Sequence, residues 1–467
     1  MFSCFASNHD PVRTAATSSR PSLQQAQGDR KYRLRTGRAA PAPGSTLRRC
    51  AVKQQWIPAF AGMTMERRWV VLLAAAFIAT GASAAPPAID WAQVTAKARG
   101  QTVYFNAWAG DEKTNAFIAW AGGELKSRYG VTVNHVRLKD TSEAVTRVIA
   151  EKAAGRDADG TVDLIWINGP NFLAMKQQGL LYGPVTQALP NFRYVDTTTK
   201  RSNVIDFTTP VDGYAVPWKM AQIVFVYDSA RIANPADVPR SAAELLAWAR
   251  KNPGRLTHPN PSNFLGATFL KQALYELAPD PAVMQQPATD ESFARTTAPL
   301  WAWYEQLRPL LWHGGRQFPE NGSAQRQLLN DGEIDITLSF NPAEAAVSAE
   351  SGQLPRTVRT FTLRRGTIGN TSFVAIAYNA AHKEGALLLA NFLLEPATQA
   401  RAQDIKEMGS LNVLDLATLS AADRALFERL TPSPALPSAA ELGKPLLEPH
   451  SSWMTRVTAE WQRRTSQ

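Results

Sequence analysis

The run Val162–Ile167, VDLIWI, constrains the fold of this chain more than any other segment. It has the length of a strand and is apolar without interruption after Asp163, the pattern of a parallel strand covered on both faces. The segments before it fit the same plan. Gln101–Ala107 (QTVYFNA) reads as a short buried strand. In Glu112–Tyr129, Thr114, Phe117, Ile118, Ala121 and Leu125 recur at helical spacing, and Gly130 ends that helix. Val131–Leu138 is a second strand, and Asp140 with Glu143 forms a capping-box-like pair before a helix carrying Val145, Val148 and Ile149 on one face. Strand, helix, strand, helix, strand implies right-handed βαβ units and an α/β lobe.

The pattern breaks at Pro210–Pro217 and resumes with a buried strand, Gln222–Tyr227 (QIVFVY). Ser241 and Glu244 cap a new helix, and Trp301–Leu311 and Ala324–Asn330 are also helical. Ile334–Phe340 is a strand that ends at Asn341-Pro342, and Phe373–Tyr378 is another. Lys383–Leu394 is an amphipathic helix stopped by Glu395-Pro396, followed by helical segments with Pro-rich breaks up to Trp461.

The N-terminal end has a different character. After Met65-Glu66-Arg67-Arg68 comes an apolar run from Trp69 to Ala79, then Ala82-Ser83-Ala84. A basic start, an apolar stretch of about 7–15 residues and small residues at the cleavage site predict a secretory signal peptide over 65–84. The run is too short for a membrane span of roughly 20 residues. Residues 1–64 are rich in Arg, Ser, Ala and Pro and lack periodicity, so they read as a non-native or disordered extension, with Met65 the expected initiator. The segment Trp56–Thr64 (WIPAFAGMT) resembles a string produced when intergenic repeats are translated from a misplaced start.

Removing this end changes the charge argument. Residues 1–84 carry 12 Lys and Arg and 3 Asp and Glu, so 85–467 hold 38 and 37, a net charge of +1. That balance is not the basic footprint of a nucleic-acid binder. Both cysteines, Cys4 and Cys50, also precede Met65, which leaves no disulfide, thiolate nucleophile, cysteine metal site or lipidated cysteine after cleavage. The expected location is a periplasm of the Gram-negative kind. The remaining 383 residues exceed what one core usually supports, so two domains are expected.

The strings VYFNAWAGDEKTNAFIAW (103–120), DLIWINGPNF (163–172), DGYAVPWKMAQIVFVYD (212–228), LSFNPAEA (338–345) and YNAAHKEGALLLANFLLEP (378–396) occur in an order that resembles the type II periplasmic solute-binding proteins of ABC transporters, in particular their YnjB-like branch. The resemblance covers nearly all of 88–467. It implies a two-lobed α/β fold, each lobe a mainly parallel sheet flanked by helices, joined by a two-strand hinge. Carried onto this chain, the crossings fall near Val216-Pro217-Trp218 and Asn341-Pro342. Lobe one is then 88–215 plus 341–395, and lobe two 216–340 plus 396–467. The implied function is capture of a small solute in the interlobe cleft and delivery to an ABC permease with its ATPase, by a monomeric carrier that needs no cofactor.

Ligands of parallel sheets sit at the carboxyl ends of strands, beside helix N-termini. That rule selects Asn106, Trp108 and Asp111 after the first strand, and Asn168 and Asn171 after the third. It also selects Trp218 and Lys219 at the first crossing, Asn341 and Glu344 at the second, and Thr371 before the strand Phe373–Tyr378. Trp108 and Trp218 are expected on opposite lobes, facing one cleft. Each residue has a plainer reading. Trp108 could pack a core edge, Asp111 could only cap a helix, Asn168-Gly169-Pro170 could be a turn, and Lys219 a solvated charge. Trp120, Trp248 and Trp303 are assigned to packing.

Catalytic motifs are absent: there is no G-x-S-x-G, H-E-x-x-H, Walker or dinucleotide-binding glycine pattern. The histidines are scattered, and no Tyr-Tyr pair of the ferric-ion carriers occurs. A metal site is therefore not expected. A secreted enzyme using Asp111, Asp163 or Glu344, or a sensor subunit that presents ligand to a receptor, would share many of these features. The ligand type stays open among sugar, polyol, thiamine-like cation and oxyanion.

Overall fold

The computed structural model describes residues 89–466. The expected extension over 1–64 and the expected signal peptide over 65–84 lie outside the described residues. Among the described residues no helix is long and apolar enough to cross a membrane.

Three strands open the fold: β1 (Thr102–Trp108), β2 (Thr132–Leu138) and β3 (Leu164–Ile167), with β1 parallel to both others. A hairpin of β4 (Ile205–Asp206) and β5 (Thr209–Pro210) follows, then β6 (Val216–Gln222). β7 (Val224–Asp228), β8 (Ile336–Ser339) and β9 (Val358–Phe361) make a separate sheet, and β10 (Gly369–Ile376) returns to the first. The five-stranded sheet has the order β2-β1-β3-β10-β6, with β10 antiparallel to β3 and β6.

Local sequence accounts for the elements. Asp111 caps the helix Glu112–Tyr129, its carboxylate accepting from the Thr114 amide at 2.9 Å. Gly130 ends that helix at φ 71°, the left-handed cap that glycine adopts without steric cost. The Glu143 carboxylate accepts from the Asp140 amide, and the Asp140 carboxylate from the Ser142 amide, so the expected acidic pair does open the helix Ser142–Ala153. Asp163, the polar start of the buried run, is structural: it accepts from the Tyr104 and His382 amides, each at 2.9 Å.

Two main cores result. Phe105, Phe117, Trp218, Phe373 and Phe392 lie in the first, beneath the five-stranded sheet; Phe225, Phe269, Trp303 and Trp453 lie in the second. Each such side chain contributes roughly 1.5–3 kcal/mol by leaving water.

The lobe boundaries differ from the sequence reading at every crossing. β6 belongs to the first sheet through its pairing with β10, so the chain first crosses at Ile223 and not at 216–218. Asn341-Pro342 is no crossing, because β9 still pairs with β7 in the second sheet; the return falls between Phe361 and Gly369. Residues expected in lobe two, Ala402 and Met408 to Leu419, pack in the core of lobe one. A third crossing follows before Ala435, whose carbonyl accepts from Thr360 on β9. The sheet of lobe two is antiparallel, β8-β7-β9, and not mainly parallel. The two connecting strands lie side by side: β6 and β10 are hydrogen-bonded from Val216/Val374 to Gln222/Gly369, and the Ile223 amide reaches the Ile368 carbonyl at 2.8 Å.

Candidate functional site

The β6–β10 pair forms the floor of a cleft between the lobes. Met220, Ala221, Asn370 and Ser372 line it from below, and the cavity above them has a volume of about 660 Å³. The lobe-one wall is the carboxyl ends of β1, β2 and β3 with the helix starts that follow. The lobe-two wall comes from the starts of helices Phe264–Leu277 and Gly322–Asn330, the end of β8, and one face of the terminal helix Ser451–Thr465.

Seven of the ten expected residues line this cavity: Trp108, Asp111, Asn168, Asn171, Lys219, Asn341 and Glu344. Trp108 is half-buried and meets Trp166 edge to face at 6.3 Å between centroids. Gly110 makes room for it, since a Cβ there would lie 2.2 Å from the indole ring. Asp111 both caps its helix and faces the cleft, so its two readings hold together. The Asn168 amide donates to the Thr371 carbonyl and, at 3.5 Å, to Asp206.

Three expected residues lie elsewhere. Asn106 is fully buried behind β1, where it donates to the Tyr104 carbonyl and accepts from Arg147. Thr371 points away from the cleft because side chains alternate along β10; its neighbours Asn370 and Ser372 face the ligand space, while its hydroxyl donates to Ser202 or Asn203. Trp218 is a core residue on the same lobe as Trp108, 1 % exposed, against Phe105, Phe117 and Trp166. The proline before it fixes the backbone but aims the indole under the sheet.

Charge is distributed unevenly over the walls. In lobe two Arg326 and Glu344 pair at 2.5 Å, and the Glu344 carboxylate also accepts from Ser339 and Ser348. In lobe one Lys219 stands over the Trp166 ring at 4.2 Å and the Trp218 ring at 4.9 Å. Burial pulls its ammonium down to about 8, against the raising field of Asp111. The rims touch: Ser323 donates to the Gly110 carbonyl at 2.8 Å, and the Asn341 amide to the Met408 carbonyl at 3.1 Å.

Beside the cleft, the hairpin tip Asp206-Phe207 of lobe one meets Lys271 of lobe two. Lys271 pairs with Glu448 at 2.6 Å and sits over Phe207 and Phe264, and Glu448 also accepts from Asn370. Burial pushes the Asp206 carboxyl up to about 7, although it accepts from the Gly169 amide. Phe207 and Thr208 both hold positive φ, 45° and 67°, a strained turn kept by these contacts. Sequence reasoning missed this seam and also Trp166, Phe264, Phe340 and Arg326. Trp166 sits inside the apolar strand run and carried no separate signal, and the lobe-two residues depended on a connectivity the sequence did not display.

Among the described residues no cluster of three or more His, Cys, Asp or Glu could hold a metal.

Two α/β lobes, hydrogen-bonded hinge strands and a cleft at strand ends define the type II periplasmic-binding fold. The chain belongs to the bacterial extracellular solute-binding protein family, whose pattern matches residues 120–422. It is 40% identical over 382 residues to Protein YnjB of Escherichia coli (strain K12), covering 82% of this chain and 95% of that one. Among solved structures, the TpPotD lipoprotein of Treponema pallidum superposes with a TM-score of 0.56 at 13% identity, over 78% of this chain and 99% of that one. An ABC transporter substrate-binding protein from Bradyrhizobium japonicum gives a TM-score of 0.54 at 18% identity, over 79% and 100%. Binding of a small solute is therefore the activity of this chain.

Proposed function

We propose that this chain is the periplasmic substrate-binding component of an ABC importer, a monomer that closes on one small solute and releases it unchanged to a membrane permease driven by an ATPase. The observation that carries the reading is the 660 Å³ cleft walled by both lobes and floored by the two hinge strands. Opening it breaks the two rim hydrogen bonds, each worth about 0.5–1.5 kcal/mol. A ligand touching both walls then shifts the balance of open and closed states by its differential affinity. An enzyme reading has less support: Asp111 and Glu344 are engaged by protein donors, and Asp163 is buried beneath the sheet away from the cleft. Secretion through a signal peptide cleaved before Ala85 completes the proposal.

The test is a thermal-shift screen of the protein against a metabolite library, followed by small-angle scattering with each stabilising compound. The expected outcome is a smaller radius of gyration at saturation. A saturated protein with an unchanged scattering profile would contradict closure, and turnover of the bound compound would contradict simple carriage.

A further inference from the structure

The charges in the cleft are not equally occupied. Glu344 is held by Arg326, Ser339 and Ser348, and Arg326 in turn by Glu344. Asp111 accepts from the amide and hydroxyl of Thr114, and Asp140 from the Ser142 amide. Lys139, the remaining cation on that rim, is exposed to water. Lys219 differs from all of these: it is half-buried in the cavity wall, yet among the described residues its ammonium makes neither a hydrogen bond nor an ion pair. Contact with two indole faces offsets part of its charge but fills none of its three N–H donors. Those donors are open to an acceptor that enters the cavity.

The surroundings favour an anion as that acceptor. Five helices of nine residues or more, starting at Glu112, Ser142, Gly169, Phe264 and Gly322, have their first residues or caps in the cavity wall. Their dipoles place partial positive charge toward the same space. Between the polar side chains of the wall, Trp108, Phe264, Leu265, Phe340 and Met454 supply apolar surface.

We propose that the solute is an organic oxyanion, a carboxylate or phosphate monoester, whose acid group sits on Lys219 above Trp166 and whose apolar body lies against Trp108, Phe264 and Phe340. This rests on the carrier reading above and names its ligand class. The groups facing Lys219 across the cavity are Asp111, Lys139, Asp140 and the Arg326–Glu344 pair. Of these, Asp111 acts on it directly and favours the charged lysine, which the incoming anion needs. The affinity is then fully present below about pH 8 and falls as the lysine deprotonates above it.

The experiment uses matched panels on one carbon skeleton: phenylacetate, phenyl phosphate, phenylacetamide and phenethylamine, with hexanoate, hexyl phosphate, hexanamide and hexylamine beside them. Binding to the full protein is read by tryptophan fluorescence and melting temperature. At least one anion should bind, tenfold or more tighter than its amide or amine, and the carboxylate and phosphate arms show which acid group fits. Lys219→Met should lower that affinity tenfold or more without lowering the melting temperature, while Lys219→Arg keeps it within about threefold. Raising the pH from 7 to 9 should weaken binding to wild type and leave Lys219→Met unaffected. Preference for an amide or amine, anion binding unchanged in Lys219→Met, or no binding by any panel member would each overturn the anion proposal. A neutral or cationic compound that binds and closes the lobes would do so while leaving the carrier reading intact. The metabolite screen decides that reading separately.

Discussion

The two lobes line one cleft with different kinds of surface. Lobe one offers strand ends, half-buried tryptophans and a lysine without a protein partner; lobe two offers Phe264, Phe340 and an ion pair already complete within itself. An ion pair complete within itself has little to gain from a charged ligand, because any new hydrogen bond must replace one already made. Selection by charge therefore belongs mainly to lobe one, while Phe264 and Phe340 of lobe two cover the apolar part. The seam Asp206–Lys271–Glu448 joins the two beside the cleft, and its buried charges answer to one another across the lobes.

The pair Trp108 and Trp218 gives the largest test of that division, since both belong to lobe one and only Trp108 faces the cavity. Trp218→Ala should cost about 3–5 kcal/mol of folding stability, the usual loss for a buried tryptophan. Trp218→Phe should cost much less, because the indole N–H is buried without an acceptor and no hydrogen bond is lost. Trp108→Ala should change the melting temperature little and weaken solute binding tenfold or more. Thermal melts and titrations of the three variants check this. A Trp108→Ala protein that melts far below wild type and binds normally would move Trp108 into the core and dissolve the contrast.

A second test acts on lobe two. Lys271→Met leaves the Glu448 carboxyl buried without its ammonium, which should cost about 3 kcal/mol. The exposed pair Lys152–Asp157 is the control, and Lys152→Met should leave the melt nearly unchanged. Denaturant melts at pH 7 measure both. Equal losses would mean that the seam carries no more than a surface ion pair.

Lobe one was the more legible in the sequence, and the reason is physical. Parallel strands buried on both faces leave continuous apolar runs, and βαβ order fixes handedness, so β1 to β3 and the residues at their ends followed directly. Four of the seven expected residues that line the cleft, Trp108, Asp111, Asn168 and Asn171, come from those ends. The three that failed share one cause, the direction of a side chain. Asn106 and Thr371 fall on the far side of a pleat, and Trp218 lies under the sheet. Lobe two was harder because it is built from long-range antiparallel pairs, Val224 with Ser339 and Asp228 with Val358, whose partners no local pattern announces. The expected crossing at Asn341-Pro342 failed for the same reason: a strand end before proline looks like an exit, although the chain goes on to add β9 to the same sheet. The seam lay beyond local reasoning too, since its members are separated by up to 242 positions between Asp206 and Glu448.

The smallest expected effect concerns how that seam responds to pH. In the folded protein Asp206 titrates near 7, because burial disfavours its charge, whereas an unfolded aspartate titrates near 4. The folded state thus holds a proton between those values that the unfolded state has released, so stability falls as pH rises from about 4 to 7 and is flat above. Asp206→Asn removes this dependence while keeping an acceptor for the Gly169 amide. The variant should therefore gain on wild type as pH rises, the gap growing by about 1–2 kcal/mol between pH 4.5 and 8. This is smaller than the full shift would give, because Glu448 and Lys271 titrate together with Asp206. Urea melts of both proteins at half-unit pH intervals measure the gap. A gap that stays constant, or shrinks with rising pH, would show that Asp206 is ionised across the whole range, held charged by Lys271, and that the lobes are joined by a permanent ion cluster and not by a titrating one.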